Sequence, residues 1–279
     1  TAAGYGGAIA NRFGSLTVSN STFVDNSTEL GQGAALFNDN EVYAGTQMSV
    51  TNSTIANNTG AIVSYAPLSV VNCTIVNNTG SLGGIVSHSS VTLTNTLLAQ
   101  NAAADYWGNP VNAASSNNLI QVESGSGLSD GLGGNIIGVG VTFVGLDPNG
   151  LQGHGGPTPT IALLPGSQAI NAGTSSSGVV IIPSTDQRGL SRAAGTDIGA
   201  FESHGFTIGV TGGDGQTATV NHAFAQALAV KVTANDSLEP VQGGQVTFTA
   251  PVGGASAILT GTPATIAADG SASVTAMAN

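Results

Sequence analysis

The chain has 279 residues, room for one large solenoid and a small second domain. Hydrophobic residues make up 41% and charged residues only 7%, which excludes a disordered chain, and no apolar run is long enough to cross a bilayer. The formal net charge is −11 with four basic residues, Arg12, Arg188, Arg192 and Lys231, so the surface offers no footprint for nucleic acid or an anionic membrane.

The first hundred residues repeat themselves. LTVSNSTFVDN (16–26), MSVTNSTIANN (48–58), LSVVNCTIVNN (68–78) and VTLTNTLLAQN (91–101) align without a gap. Leu16, Met48, Leu68 and Val91 share one apolar column, Val18, Val50, Val70 and Leu93 a second, Phe23, Ile55, Ile75 and Leu98 a third. Two columns are Asn throughout: Asn20, Asn52, Asn72 and Asn95, then Asn26, Asn58, Asn78 and Asn101. Such a unit is one rung that buries its apolar face only by stacking on its neighbours. Apolar residues alternate with Ser, Thr or Asn, the period of a strand with one buried face. A short apolar strand precedes each copy, in GGAIAN, GAALFN, GAIVSY and GGIVSH. The predicted rung therefore has two strands, and coiling rungs gives an all-β parallel β-helix, right-handed by the usual crossover preference. The Asn columns read as side-chain ladders running from coil to coil at the bends.

Between the first two copies, residues 38–47 form a longer loop carrying Asp39, Glu41 and Tyr43, read as a solvated acidic loop. Cys73 is the only cysteine; it occupies a Ser column, which points to a buried inert residue and excludes an internal disulfide. After Asn101 the pattern loosens. Trp107 in DYWGNP is read as a plug over a rung, SNNLI (116–120) and GNIIGV (134–139) as degenerate rungs, 123–134 as a flexible loop, and VTFVG (141–145) as a continuation of the sheet. Asp130 has no repeated acidic partner and makes no calcium site. His88, His154, His204 and His222 are too scattered for a metal set and are read as turn or surface residues.

Residues 155–173 (GGPTPTIALLPGSQAINAG), 185–192 (TDQRGLSR) and 197–202 (DIGAFE) together resemble the closing block of right-handed, pectin-lyase-like β-helix proteins with a choice-of-anchor Q region. The resemblance implies a β-helix domain over 1–204, closed by a capping block at 155–202, in a bacterial surface or secreted protein. In this charge-poor chain the block gathers Asp186, Arg188, Asp197 and Glu202. Arg188 is expected to clamp Asp186 or Asp197, pinning the chain across the last coil as a structural cap. Catalysis by the same cluster is the alternative.

From 205 to 279, short alternating segments separated by turn clusters read as a small sandwich, with strands at 218–220, 228–233, 245–250, 257–259 and 272–276. PVQGGQVTFTAP and ATIAADGSASVTA resemble bacterial immunoglobulin-like repeats, and the sandwich lacks its last strand or strands. The chain opens in mid-rung and stops before the sandwich closes, so it is read as a fragment, a processed chain, or a subunit that associates head-to-tail by lending strands. The expected function is a non-enzymatic structural protein, extracellular or on the cell surface. An adhesive or glycan-binding segment is the first alternative and a polysaccharide lyase or hydrolase the second. No catalytic, cofactor or metal site is expected; the expected partners are a second copy of the chain and a glycan or cell-surface ligand.

Overall fold

The computed structural model describes residues 6–28, 35–40, 45–192 and 195–279. The chain divides into two units, residues 1–144, 150–161 and 168–202 in the first and 145–149, 162–167 and 203–279 in the second.

The first unit is a parallel β-solenoid whose coils pass through three sheets. The first sheet stacks Ile9–Asn11, Leu36–Asn38, Ile62–Ser64, Ile85–Ser87, Tyr106–Gly108 and Glu123–Ser124. The second stacks Ser15–Ser19, Gln47–Thr51, Leu68–Val71 and Val91–Thr94. The third stacks Thr22–Val24, Thr54–Ala56, Thr74–Val76, Leu97–Ala99, Leu119–Ile120 and Ile136–Ile137. Four coils thus contribute a strand to every sheet.

A coil therefore has three strands where the sequence pattern predicts two. The eleven-residue unit is bent in its middle: Asn20, Asn52, Asn72 and Asn95 sit at φ 48°, 46°, 51° and 51°, between a second-sheet and a third-sheet strand. That left-handed backbone is strained for most L-residues and is tolerated by Asn. A second bend ends each third-sheet strand, with Asp25, Asn57, Asn77 and Gln100 at φ 56° to 60°.

Like stacks on like inside. Leu16 pairs with Met48, Met48 with Leu68 and Leu68 with Val91, and Phe23, Ile55, Ile75, Leu98 and Ile120 follow one another in the third sheet. Leu36, Ile62, Ile85 and Tyr106 line the third wall. These side chains form one continuous buried core. A fully buried aliphatic side chain contributes about 1.5–3 kcal/mol, so no coil is stable without its neighbours.

Several expectations shift. Tyr106, not Trp107, is the inward plug; its hydroxyl donates to the Asn109 carbonyl, while Trp107 faces outward, 49% exposed. The 116–120 and 134–139 segments do supply third-sheet strands, whereas 141–145 is not a strand. There the Gln168 side chain takes the place of a sheet, its Oε1 accepting the Thr142 and Phe143 amides at 2.6 and 2.9 Å. Asp39 is buried rather than solvated; Glu41 and Tyr43 lie outside the described residues.

The block at 155–202 reaches beyond the last coil, where Gln168 binds residues 140–143. Its first-unit segments lie lengthwise along the corner between the second and third sheets. Thr22 Oγ1 donates to Pro159 O (2.6 Å) in the first coil and Thr54 Oγ1 to Gln187 Oε1 (2.6 Å) in the second. The Ala200 amide reaches Thr74 Oγ1 (3.0 Å) in the third coil, the Gly199 amide reaches Asn95 O (2.8 Å) in the fourth, and Asn117 Nδ2 donates to Ala172 O (2.9 Å) in the next. A Cβ on Gly199, which sits at φ 115°, would stand 2.8 Å from Thr74 Oγ1, so the close approach needs glycine.

In the second unit an antiparallel sheet has the order Phe206–Gly212, Leu228–Ala234, Ser271–Ala278, Ala257–Thr260, and Gln245–Val246 pairs with Ala264–Thr265. Val230, Val232, Ile266, Ala272 and Val274 form its core. Residues 218–220 are not a strand; the Gln216 side chain brackets that turn, bonding Gly213 O, Gln226 O and the Gln226 amide. Beyond Val246 the predicted strand stops because the Thr262 hydroxyl takes over the Phe248 amide and carbonyl.

Candidate functional site

The two Asn columns do different things. In the second column each side chain bridges to the next coil: Asn58 Oδ1 accepts the Asn26 amide and Nδ2 (both 2.9 Å), Asn78 Oδ1 accepts from Asn58 (3.0 and 2.9 Å), and Asn101 Oδ1 from Asn78 (3.0 and 2.8 Å). Asp105 ends the series, its Oδ1 accepting the Asn101 amide and Nδ2 and its Oδ2 the Val122 amide. Burial pushes the Asp105 carboxyl above its ordinary value, while these hydrogen bonds pull the other way.

The first column turns toward the strap. Its amides mainly grip the strap: Asn52 Nδ2 donates to Thr185 O, and Asn95 exchanges two 2.8 Å bonds with Thr174. With its oxygen turned to satisfy both groups, Asn72 faces the Arg192 guanidinium at 3.1 Å. Asn20 contributes only its carbonyl, to the Thr158 hydroxyl at 3.4 Å.

A third ladder escaped sequence reasoning. Asn11 Nδ2 donates to Asn38 Oδ1 (2.9 Å), and Asn38 Nδ2 to Ser64 Oγ (3.0 Å). The signal was present in the AIAN, ALFN, IVS, IVS column. Cys73 is buried in the column that runs Ser21, Ser53, Thr96; its thiol faces the Val71 and Val50 carbonyls, and burial pushes it up to about 12. It is a thiol, not a thiolate, at neutral pH.

The strap holds two buried ion pairs. Arg188 Nε meets Asp186 Oδ2 at 2.8 Å, its other nitrogens reach the His154 and Glu202 carbonyls, and its guanidinium lies 3.7 Å over the Phe201 ring. Arg192 Nη1 meets Glu202 Oε2 at 2.9 Å. Desolvation lowers the Arg192 pKa, opposed first by Glu202. Asp197 is tied through its backbone amide to Glu202 Oε2 and through Oδ1 to the Asn171 amide, 2.9 and 2.7 Å. Asp186, Arg188, Asp197 and Glu202 thus lie in one network, joined by Arg192, which sequence reasoning left out. The hydrogen bonds named here tie the network to the protein itself, as a clasp does. His154, expected as a turn or surface residue, sits in a bend and is buried there, its Nδ1 3.1 Å from Thr160 Oγ1.

The outward face of the second sheet is different. Thr17, Ser49, Ser69 and Thr92 stand in register across its four strands, one per coil, about 4.8 Å apart as neighbouring strands dictate. They line a groove of about 300 Å³ with Gln47, whose Nε2 donates to Ser15 Oγ at 2.9 Å, and with Asn112. Among the described residues no charged side chain lines it. In the turn from the first to the second sheet, Tyr65 and His88 of successive coils stack at 4.5 Å with an 11° interplanar angle; Trp107 meets His88 edge-on at 5.7 Å. Trp107 also flanks an apolar hollow with Leu82, Val86 and Ala104, bounded by the Ser81 and Ser124 hydroxyls. Both features require three-dimensional register: sequence alone shows scattered Ser, Thr and aromatic residues.

In the second unit, His204, Asp236 and Glu239 present ligand-type atoms within 4.8 Å of one another, a convergence that their spacing did not show. Buried Glu239 accepts from the His204 amide (2.8 Å) and Ser203 Oγ (2.9 Å), and His204 Nδ1 lies 3.0 Å from it. These bonds already account for Glu239 as a clamp on residues 203–205. No family model, curated protein or solved structure matches the chain.

Proposed function

We propose that this chain is a non-enzymatic scaffold of the cell surface or extracellular space whose solenoid binds an uncharged polysaccharide along the second-sheet groove. The observation that carries the reading is the register of Thr17, Ser49, Ser69 and Thr92 in a groove whose described lining is uncharged. Hydroxyls repeated coil by coil suit a polymer that repeats hydroxyl groups along its own length, and each is both donor and acceptor. Glycosidic cleavage needs a pair of carboxylates at the scissile bond, and the described lining offers Ser, Thr, Gln and Asn instead. The net charge of −11 disfavours polyanionic glycans. The resemblance of residues 155–202 to choice-of-anchor Q β-helix proteins supports the surface location.

Affinity electrophoresis of the full chain through gels containing neutral or acidic polysaccharides tests this directly. Retardation is expected in at least one neutral gel and in no polyuronate gel. Retardation by polyuronates alone, or by none of a broad set of neutral polymers, would overturn the reading.

A further inference from the structure

The strand Phe206–Gly212 is an edge. Its only partner strand among the described residues is Leu228–Ala234, so its other side offers unpaired backbone N–H and C=O groups. Natural edges are usually blunted by charge or proline, and this strand, FTIGVTG, carries neither. Ile208 and Val210 pair with Val232 and Val230, so they point to the core side of the sheet, yet they are 56% and 69% exposed. They form an apolar overhang that the second unit's core leaves uncovered.

We infer that this edge pairs with the same edge of a second copy of the chain, antiparallel, about a two-fold axis at Gly209. The sequence itself argues for that occupant. Around Gly209 the centre of the strand reads nearly the same in both directions: Ile208 falls opposite Val210 and Thr207 opposite Thr211, with Phe206 opposite Gly212 the mismatch at its ends. A two-fold interface requires such self-complementarity, since residue i meets j and j meets i. Ile208 and Val210 from both copies then meet across the axis as β-branched pairs, removing the overhang from water. The bulge at Thr211 leaves the Ile208 and Val210 pairs about Gly209 in register and displaces the residues beyond them. This contact closes on itself, unlike a head-to-tail strand exchange, and is independent of the glycan-binding reading.

Sedimentation equilibrium of the full chain at high micromolar concentration tests it, alongside Val210→Lys, whose exposed position leaves folding intact by circular dichroism. The wild type is expected at twice 27.2 kDa and the variant at 27.2 kDa. Mixing an Ile208→Cys chain with a Val210→Cys chain is expected to give a mixed disulfide that Ile208→Cys alone does not form, with buried Cys73 silent. A wild-type monomer, a dimer that survives Val210→Lys, or cross-linking as strong for Ile208→Cys alone would each overturn the inference.

Discussion

Asparagine serves this chain in two physically distinct ways, separated by six positions in every repeat. At Asn20, Asn52, Asn72 and Asn95 the backbone chooses the residue, because a left-handed bend is tolerated there. At Asn58 and Asn78 the side chain chooses it, because a carboxamide both donates and accepts and can bridge two coils. The columns were legible in the sequence as columns, but their division of labour was not, since identical residues hide different causes. Asn78→Ala removes the oxygen that takes the Asn58 amide and is expected to cost about 1–3 kcal/mol in urea unfolding. Asn26→Ala, at the half-buried first rung, is expected to cost less than half as much. Asp105 supplies a pH signature. Its carboxyl is raised in the folded state, so its stabilising contribution is full below the ordinary carboxylate pKa and is lost as pH rises through the raised one. Thermal midpoints from about pH 3 to about pH 7 should therefore fall more steeply with pH in the wild type than in Asp105→Asn; parallel curves would contradict the assignment.

At the scale of elements, the strap is the feature that sequence reasoning half found. The motifs around Asp186, Arg188, Asp197 and Glu202 announced a network, because charges are rare in this chain and two of its four bases fall within five residues. Its path along the corner was not readable, since it depends on contacts to residues more than a hundred positions earlier, such as Thr22 and Thr54. Predicted strands failed where a side chain replaces the ladder, as Gln168 does for Phe143, and the strand Phe206–Gly212 went unpredicted because glycines interrupt its alternation. The three-strand coil was missed because the bend sits inside a repeat whose polar and apolar residues keep alternating. Arg192→Ala removes the buried ion pair with Glu202, and such a loss is expected to cost about 3–5 kcal/mol. Gln187→Ala, which unties Thr22, Thr54 and Thr158 at once, is expected to raise proteolytic nicking within 185–202 while far-UV circular dichroism stays that of the solenoid.

For the whole molecule, the division of charge and polarity points outward. The solenoid spends its buried ion pairs on fastening the strap, and the described lining of the second-sheet groove is uncharged and hydroxyl-bearing. Binding energy on such a face is spread over several coils, so polymer length matters: affinity for neutral oligosaccharides is expected to rise with chain length until four coils are spanned, then level off. The most direct test of groove binding is calorimetric titration of a neutral oligosaccharide into wild type and Ser69→Trp, which fills the centre of the groove from an outward position. At least a tenfold loss of affinity, about 1.4 kcal/mol, with an unchanged thermal midpoint is the predicted result. Equal affinity in the two proteins would place the ligand elsewhere and contradict the account.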